Sequence, residues 1–144
     1  MGDDTPLLIH GTTVAVGPRA VLILGASGAG KSALGLQLMA HGAELVADDR
    51  TELRAEGGRV IARAPEAIAG LIEARGMGIL RAVPRGQAAV TLVVDLDRVT
   101  GDRMPQERKT SLLGIDVPLF HSINGPHFAA AILQYLRCDQ GEAT

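Results

Sequence analysis

Aromatic side chains are nearly missing from this 144-residue chain: they make up 2% of it, with no tryptophan, one tyrosine and two phenylalanines. Valine, leucine, isoleucine and alanine must therefore fill the core, with Phe120, Phe128 and Tyr135 as its only rings. That leaves no material for the stacking platforms that bind single-stranded nucleic acid. Cysteine is limited to Cys138, so no internal disulfide can form and a reducing cytoplasm is the expected compartment. Neither sign of charge dominates. Fourteen basic against sixteen acidic residues give a formal net charge of −2, which supplies no general attraction for nucleic acid or an anionic membrane. Any phosphate recognition has to be local. Long apolar runs are lacking too: residues 21–24 and 90–94 fall far short of the roughly 20 needed to cross a bilayer as a helix. Asp3 and Asp4 stand where a secretory signal would carry Lys or Arg, so a soluble, non-exported protein is expected.

What is present fits one domain over residues 1–144, of a size that buries roughly two thirds of the surface its unfolded chain exposes. No repeat, low-complexity block or long linker divides it. Residues 7–9 and 13–16 read as short strands around His10-Gly11-Thr12, and 20–24 as a buried strand. A glycine-rich loop follows, then a helix over 31–41 with Leu34 and Leu38 on one face, closed by Gly42. A strand over 44–47 runs into Asp48 and Asp49, completing a βαβ unit. Residues 51–55 and 59–62 flank Glu56-Gly57-Gly58 as a hairpin, so the sheet of this α/β fold is expected to be mixed. Pro65 suits the start of a helix to about residue 74, ended by Gly76 and Gly78; 90–96 and 112–117 read as strands. Pro126 opens a last helix with an apolar face of Phe128, Ala131, Ile132 and Tyr135, leaving Gln134 and Arg137 to water.

The chemistry concentrates at Gly25, Ala26, Ser27, Gly28, Ala29, Gly30, Lys31 and Ser32, which satisfy G-x-x-x-x-G-K-[ST] between a strand and a helix. In that context the glycines let backbone N–H groups converge on phosphate oxygens, and the helix N-terminus adds positive potential. Lys31 neutralises the β and γ phosphates of ATP and Ser32 coordinates Mg²⁺. The bland alternative is a tight turn with an exposed lysine. A right-handed crossover makes the strands before Gly25 and before Asp48 parallel, with their carboxyl ends at one sheet edge. Asp48 and Asp49 are then expected to face the loop, one holding the metal or its waters and the other accepting a proton from an acceptor hydroxyl. Otherwise one of them caps the following turn.

His10-Gly11, GASGAGKS (residues 25–32), LVADD (residues 45–49) and IEARGMGIL (residues 72–80) together resemble the C-terminal catalytic domain of HPr kinase/phosphorylase, a bacterial serine kinase of the phosphotransferase system related in fold to phosphoenolpyruvate carboxykinase. The resemblance implies a P-loop kinase domain acting with ATP and Mg²⁺ on an HPr-like phosphocarrier in the cytoplasm, assembled as a hexamer. It implies Asp49 as proton acceptor, Asp48 beside the metal, Ser32 and Glu73 as Mg²⁺ ligands, His10 and Lys31 at the phosphates, and Arg103 on the transferring group. Taken by themselves, Glu73 and Arg75 read as the polar end of a helix, and Arg103 as a solvated loop charge.

Ala26 stands where family members carry an acidic residue, and residues 118–128, PLFHSINGPHF, replace a segment that the family ties to dephosphorylation. The second departure implies that phosphorylase activity is weak; His121 and His127 read as exposed loop histidines. The family's N-terminal domain is expected to be absent, since His10-Gly11 lies at the start of the chain. Two other readings stay open: a kinase of a small metabolite, for which no lid or acceptor pocket is visible, and an ATP- or phosphate-sensing module without chemistry.

Overall fold

The computed structural model describes residues 6–138, so Asp3 and Asp4 lie outside the described residues. Thirteen strands and helices follow one another: β1 (Leu7–His10), β2 (Thr12–Val16), β3 (Arg19–Leu24), α1 (Lys31–Ala40), β4 (Glu44–Ala47), β5 (Arg50–Glu56), β6 (Arg59–Arg63), β7 (Leu71–Ala74), β8 (Gly78–Arg81), β9 (Ala88–Thr100), β10 (Lys109–Leu112), β11 (Ile115–Ile123) and α2 (Phe128–Arg137). The main sheet runs β1-β5-β6-β9-β3-β2-β4, with β11 parallel to the far half of β9 and β10 antiparallel to β11. It is a mixed sheet, as the two-residue glycine turn at Gly57-Gly58 requires: the hairpin it closes, β5–β6, is antiparallel.

The βαβ expectation holds with one strand interposed. β2 is antiparallel to both β3 and β4, so β3 and β4 are parallel to each other, and β9 is parallel to β3. The carboxyl ends of β3, β4 and β9 therefore meet at one edge of the sheet, where ligands of open α/β sheets bind. Alternation along β3 divides the core. Val21 and Ile23 join Leu34, Leu38, Ile132, Leu133 and Leu136 beneath the two helices. Ala20 and Leu22 face the other way, against Leu53, Val60, Val93, Leu112 and Val117 from strands that fold over that side. With both faces covered, β3 needs the uninterrupted apolar run that marks it in the sequence.

α1 ends as the sequence indicates. Gly42 N–H donates to Met39 O (3.0 Å) and Ala43 N–H to Leu38 O (3.1 Å), the paired bonds of a Schellman closure, with Gly42 at φ 106°. Inside α1, Gly35 is buried, because a Cβ there would lie 3.1 Å from Thr12 Cγ2 on β2.

Four expectations are corrected. The helix from Pro65 to residue 74 does not form: only a single 3₁₀ turn, Glu66–Ile68, precedes the β7–β8 hairpin. Ile72 and Ala74 are buried and Glu73 is exposed, an alternation with period two, and Gly76 and Gly78 turn the hairpin instead of capping a helix. The strand expected over 112–117 is broken by Leu113 (φ 53°) and Gly114 (φ 80°), two consecutive left-handed residues that make a tight hairpin turn between β10 and β11. His121 consequently lies half-buried inside β11 instead of in a loop, while His127 is exposed at the start of α2. The apolar face of α2 is also rotated: Ile132, Leu133 and Leu136 are buried and Ala131 is exposed, with Gln134 and Arg137 facing water as expected.

Candidate functional site

The loop after β3 enters a cleft of about 740 Å³, a volume suited to a nucleotide-sized ligand. Gly25, Ala26, Ser27, Gly28, Gly30, Lys31 and Ser32 line it, facing His10, Asp49, Glu73 and Arg75. Ala29 is the loop residue outside the lining; its N–H donates inward to Ala26 O (2.9 Å) and makes the turn. Gly25 permits a close approach, since a Cβ there would sit 3.0 Å from that of Ala29 and 3.2 Å from that of Leu96 on β9. Gly30 is the N-cap of α1 in a left-handed conformation (φ 100°) and offers no capping side chain. The first N–H groups of α1 thus face the cleft with the positive end of the helix dipole behind them. Lys31 Nζ donates to the carbonyls of Gly25 (2.7 Å) and Ala26 (3.2 Å), tying the helix start to the loop's entry.

Beneath the loop, the two aspartates occupy opposite environments. Asp48 is buried, and its carboxylate accepts three hydrogen bonds: Ser32 Oγ (2.6 Å) and Thr12 Oγ1 (2.8 Å) donate to Oδ1, and the Glu73 N–H (2.9 Å) donates to Oδ2. Asp49 is exposed, lines the cleft and has a left-handed backbone (φ 69°), with the Arg50 guanidinium 4.0 Å from its Oδ2. That backbone is held by the Gly11 N–H, which donates to Asp49 O (3.0 Å), while the Asp49 N–H donates to Thr12 Oγ1 (3.5 Å). A kink between consecutive residues is what sends one carboxylate inward and the other into the cleft.

Among the described residues no three His, Cys, Asp or Glu side chains are grouped to hold a metal by themselves. Mg²⁺ does not need such a cage; it takes one or two carboxylates and completes its octahedron with phosphate oxygens and waters. Ser32, with Asp48 2.6 Å behind it, and Glu73 on the facing wall of the cleft are a donor set of that kind. Asp48 is already committed to three donors, which suits it to orient Ser32 and a metal-bound water more than to bind the ion directly.

His10, Lys31, Ser32, Asp49 and Glu73 are thus brought together, with Asp48 directly beneath. Arg103 is not: it is exposed on the segment 101–108 and is not among the residues that line the cleft. Three residues escaped the sequence reading. Arg75 lines the cleft from the β7–β8 turn, misread there as a helix end. Thr12, in sequence part of the turn His10-Gly11-Thr12, is the first residue of β2. Asp97 accepts the Ala26 N–H with both carboxylate oxygens (2.9 and 3.1 Å), steadying the loop from β9. The signal for Asp97 was an apolar parallel strand ending in an acid, one residue beyond the expected strand end.

The family model for the HPr serine kinase C-terminal domain matches residues 5–121. The HPr kinase/phosphorylase of Geobacillus thermodenitrificans is 40% identical over 123 residues, covering 76% of this chain. That of Bacillus licheniformis is 39% identical over the same length. In both cases the chain spans 40% of the relative's own length. A solved structure of the Hpr(Ser) kinase/phosphatase from Coxiella burnetii superposes with a TM-score of 0.76 at 26% identity, covering 91% of this chain and 94% of that one. With a family model matching residues 5–121 and a mixed sheet that superposes on a solved member, this chain belongs to the HPr serine kinase C-terminal domain family.

Proposed function

We propose that this chain transfers the γ-phosphoryl group of ATP to a serine hydroxyl of an HPr-like phosphocarrier protein. One observation carries the reading: a phosphate loop and two consecutive carboxylates share a cleft, one buried against the loop's serine and the other exposed. A nucleotide-sensing module would need the first half of that arrangement and have no use for Asp49. The names of the relatives support the choice of acceptor.

In this reading the β and γ phosphates lie on the loop N–H groups and the N-terminus of α1, with Lys31 and His10 neutralising their charge. Ser32 and Glu73 would hold Mg²⁺, with Asp48 orienting Ser32 and a metal-bound water, and the ion when bound would draw negative charge from the β and γ oxygens. Asp49 accepts the proton of the incoming serine. The serine oxygen then bonds to the γ phosphorus as the bond from that phosphorus to the β–γ bridging oxygen breaks, and ADP leaves. Arg103 neutralises charge on the transferring group once segment 101–108 approaches the cleft. A cytoplasmic location and assembly as a hexamer belong to the same proposal.

The test is incubation with labelled ATP, Mg²⁺ and a panel of HPr-like proteins, followed by identification of the labelled residue. Label on a serine of the phosphocarrier is expected. Asp49→Asn should keep MgATP affinity within a few fold and lower transfer by on the order of 10² to 10⁴. Normal ATP binding with no transfer by the wild type would replace the kinase with a sensor.

A further inference from the structure

We propose that Thr12 is the positioning residue that fixes the two aspartates in their opposite roles, acting on Asp48 through its hydroxyl proton and on Asp49 through its hydroxyl oxygen. Thr12 lies in β2 and is fully buried. Its Oγ1 carries one proton and two lone pairs. The proton goes to Asp48 Oδ1 at 2.8 Å, and a lone pair receives the Asp49 N–H at 3.5 Å. One hydroxyl therefore touches both members of the pair, with polarity that cannot be reversed: the backbone N–H can only donate and an ionised carboxylate can only accept.

The rotamer of Thr12 is fixed from the opposite side. Its methyl faces Gly35 of α1, where a Cβ would come within 3.1 Å. A glycine inside a helix is less favourable than alanine, and here it opens the space that the Thr12 methyl fills. With the methyl held by α1, the hydroxyl is aimed at the aspartates. The neighbouring threonines serve the backbone instead. Thr51 Oγ1 donates to Gly11 O (3.0 Å), so its proton is spent and Thr13 Oγ1 is the donor in the 2.9 Å contact between the two hydroxyls. Gly11 in turn holds Asp49 O. Thr12 alone among the three reaches the carboxylate bonded to Ser32.

Two consequences separate. On the Asp48 side, losing the donor releases Oδ1 to shift against Ser32, so Mg²⁺-dependent nucleotide binding should weaken while binding without Mg²⁺ stays unchanged. On the Asp49 side, losing the acceptor loosens the left-handed kink, so transfer should slow more than MgATP affinity falls. The second consequence rests on the kinase reading; the first does not.

The experiment compares Thr12→Val, which keeps the shape and removes the hydroxyl, with Thr12→Ser, which keeps the hydroxyl and removes the methyl. Titration with a fluorescent ATP analogue gives the Mg²⁺ concentration for half-maximal binding, and phosphoryl transfer gives kcat and KM. Thr12→Val should raise the Mg²⁺ requirement about tenfold, as groups that orient a metal's ligands do, and should lower kcat more than it raises KM. Thr12→Ser should restore both to within about threefold, a small residue of lost packing. Equal impairment of the two variants would mean that packing alone matters, and an unchanged Mg²⁺ requirement in Thr12→Val would remove the link to Asp48; either result overturns the proposal. If the valine variant does not fold, Thr12→Cys, of similar size but a weak donor, takes its place with the same expected loss. If the wild type binds the analogue but transfers nothing, the kinase reading fails, and the Mg²⁺ titration still decides the role of Thr12.

Discussion

Removing the Asp48 carboxylate should destabilise the protein before any ligand is involved. Its three donors are Ser32 Oγ, Thr12 Oγ1 and the Glu73 N–H. Ser32 lies at the cleft wall and rehydrates when its acceptor is gone. Thr12 is fully buried, and the Glu73 N–H points inward from β7, so Asp48→Ala leaves two donors without an acceptor. At about 1–3 kcal/mol for each orphaned buried donor, the loss is about 2–6 kcal/mol, a large share of the 5–15 kcal/mol typical of a domain. For a chain of this length that corresponds to a fall in Tm of about 8 °C or more. Asp48→Asn should behave differently. Its amide nitrogen can take the place of Oδ1 and donate to the two hydroxyl oxygens, while its carbonyl keeps the Glu73 N–H. The Glu73 N–H keeps its acceptor and the two hydroxyl contacts reverse direction, which leaves the buried Thr12 proton as the one donor without an acceptor, so the cost should be about 1–3 kcal/mol, below that of Asp48→Ala. Urea unfolding without nucleotide, followed by circular dichroism, measures both values. A loss under about 1 kcal/mol for Asp48→Ala, or equal losses for the two variants, would refute the assignment of Asp48 as the shared acceptor. In the folded Asp48→Asn variant, nucleotide binding should in addition lose most of its response to Mg²⁺.

Three further outcomes are expected. Lys31→Ala should abolish ATP binding at a stability cost of about 1 kcal/mol, that of the bonds to the Gly25 and Ala26 carbonyls; isothermal titration checks it, and unchanged affinity would sink the phosphate-loop assignment. Arg103→Ala should lower kcat more than it changes nucleotide affinity, and unchanged kinetics would make Arg103 the surface residue that its exposed position describes. Tyr135 packs edge-on to Phe120 with ring centroids 5.5 Å apart, and its phenol is raised above 10.0 by burial and then by the negative charge of Glu107. The folded state holds that proton more tightly than the unfolded chain, so its contribution is complete below pH 10 and is lost as pH rises past it. Tyr135→Phe should therefore lose less stability than the wild type between pH 9 and about 11.5, read as the shift in urea midpoint, and an equal loss in both would contradict the assignment.

The phosphate loop, its flanking strand and helix, the Schellman closure at Gly42 and the pair Asp48-Asp49 were all legible in the sequence. Each depends on contacts between near neighbours along the chain: glycines at fixed offsets, an apolar run between turn residues, a 3.6-residue period. Where local pattern admits two periods, the sequence misleads. Residues 71–74 carry both a plausible helix end and a strand alternation, and the decision fell to the pairing of β7 with β8 and to the burial of Ile72 and Ala74. Residues 112–117 contain enough apolar side chains for one strand, yet two left-handed residues at 113 and 114 divide them. The sequence by itself therefore determined the chemistry on offer: a cradle for phosphates, a lysine, a serine and two carboxylates. Only the tertiary structure decided which carboxylate is buried and which is exposed, because that depends on a hydroxyl thirty-six residues away in β2 and on an N–H twenty-five residues away in β7. Hydrogen bonds across such separations leave no periodicity to read. They exist because β2 lies between β3 and β4 and carries Thr12 to the edge where the phosphate loop begins.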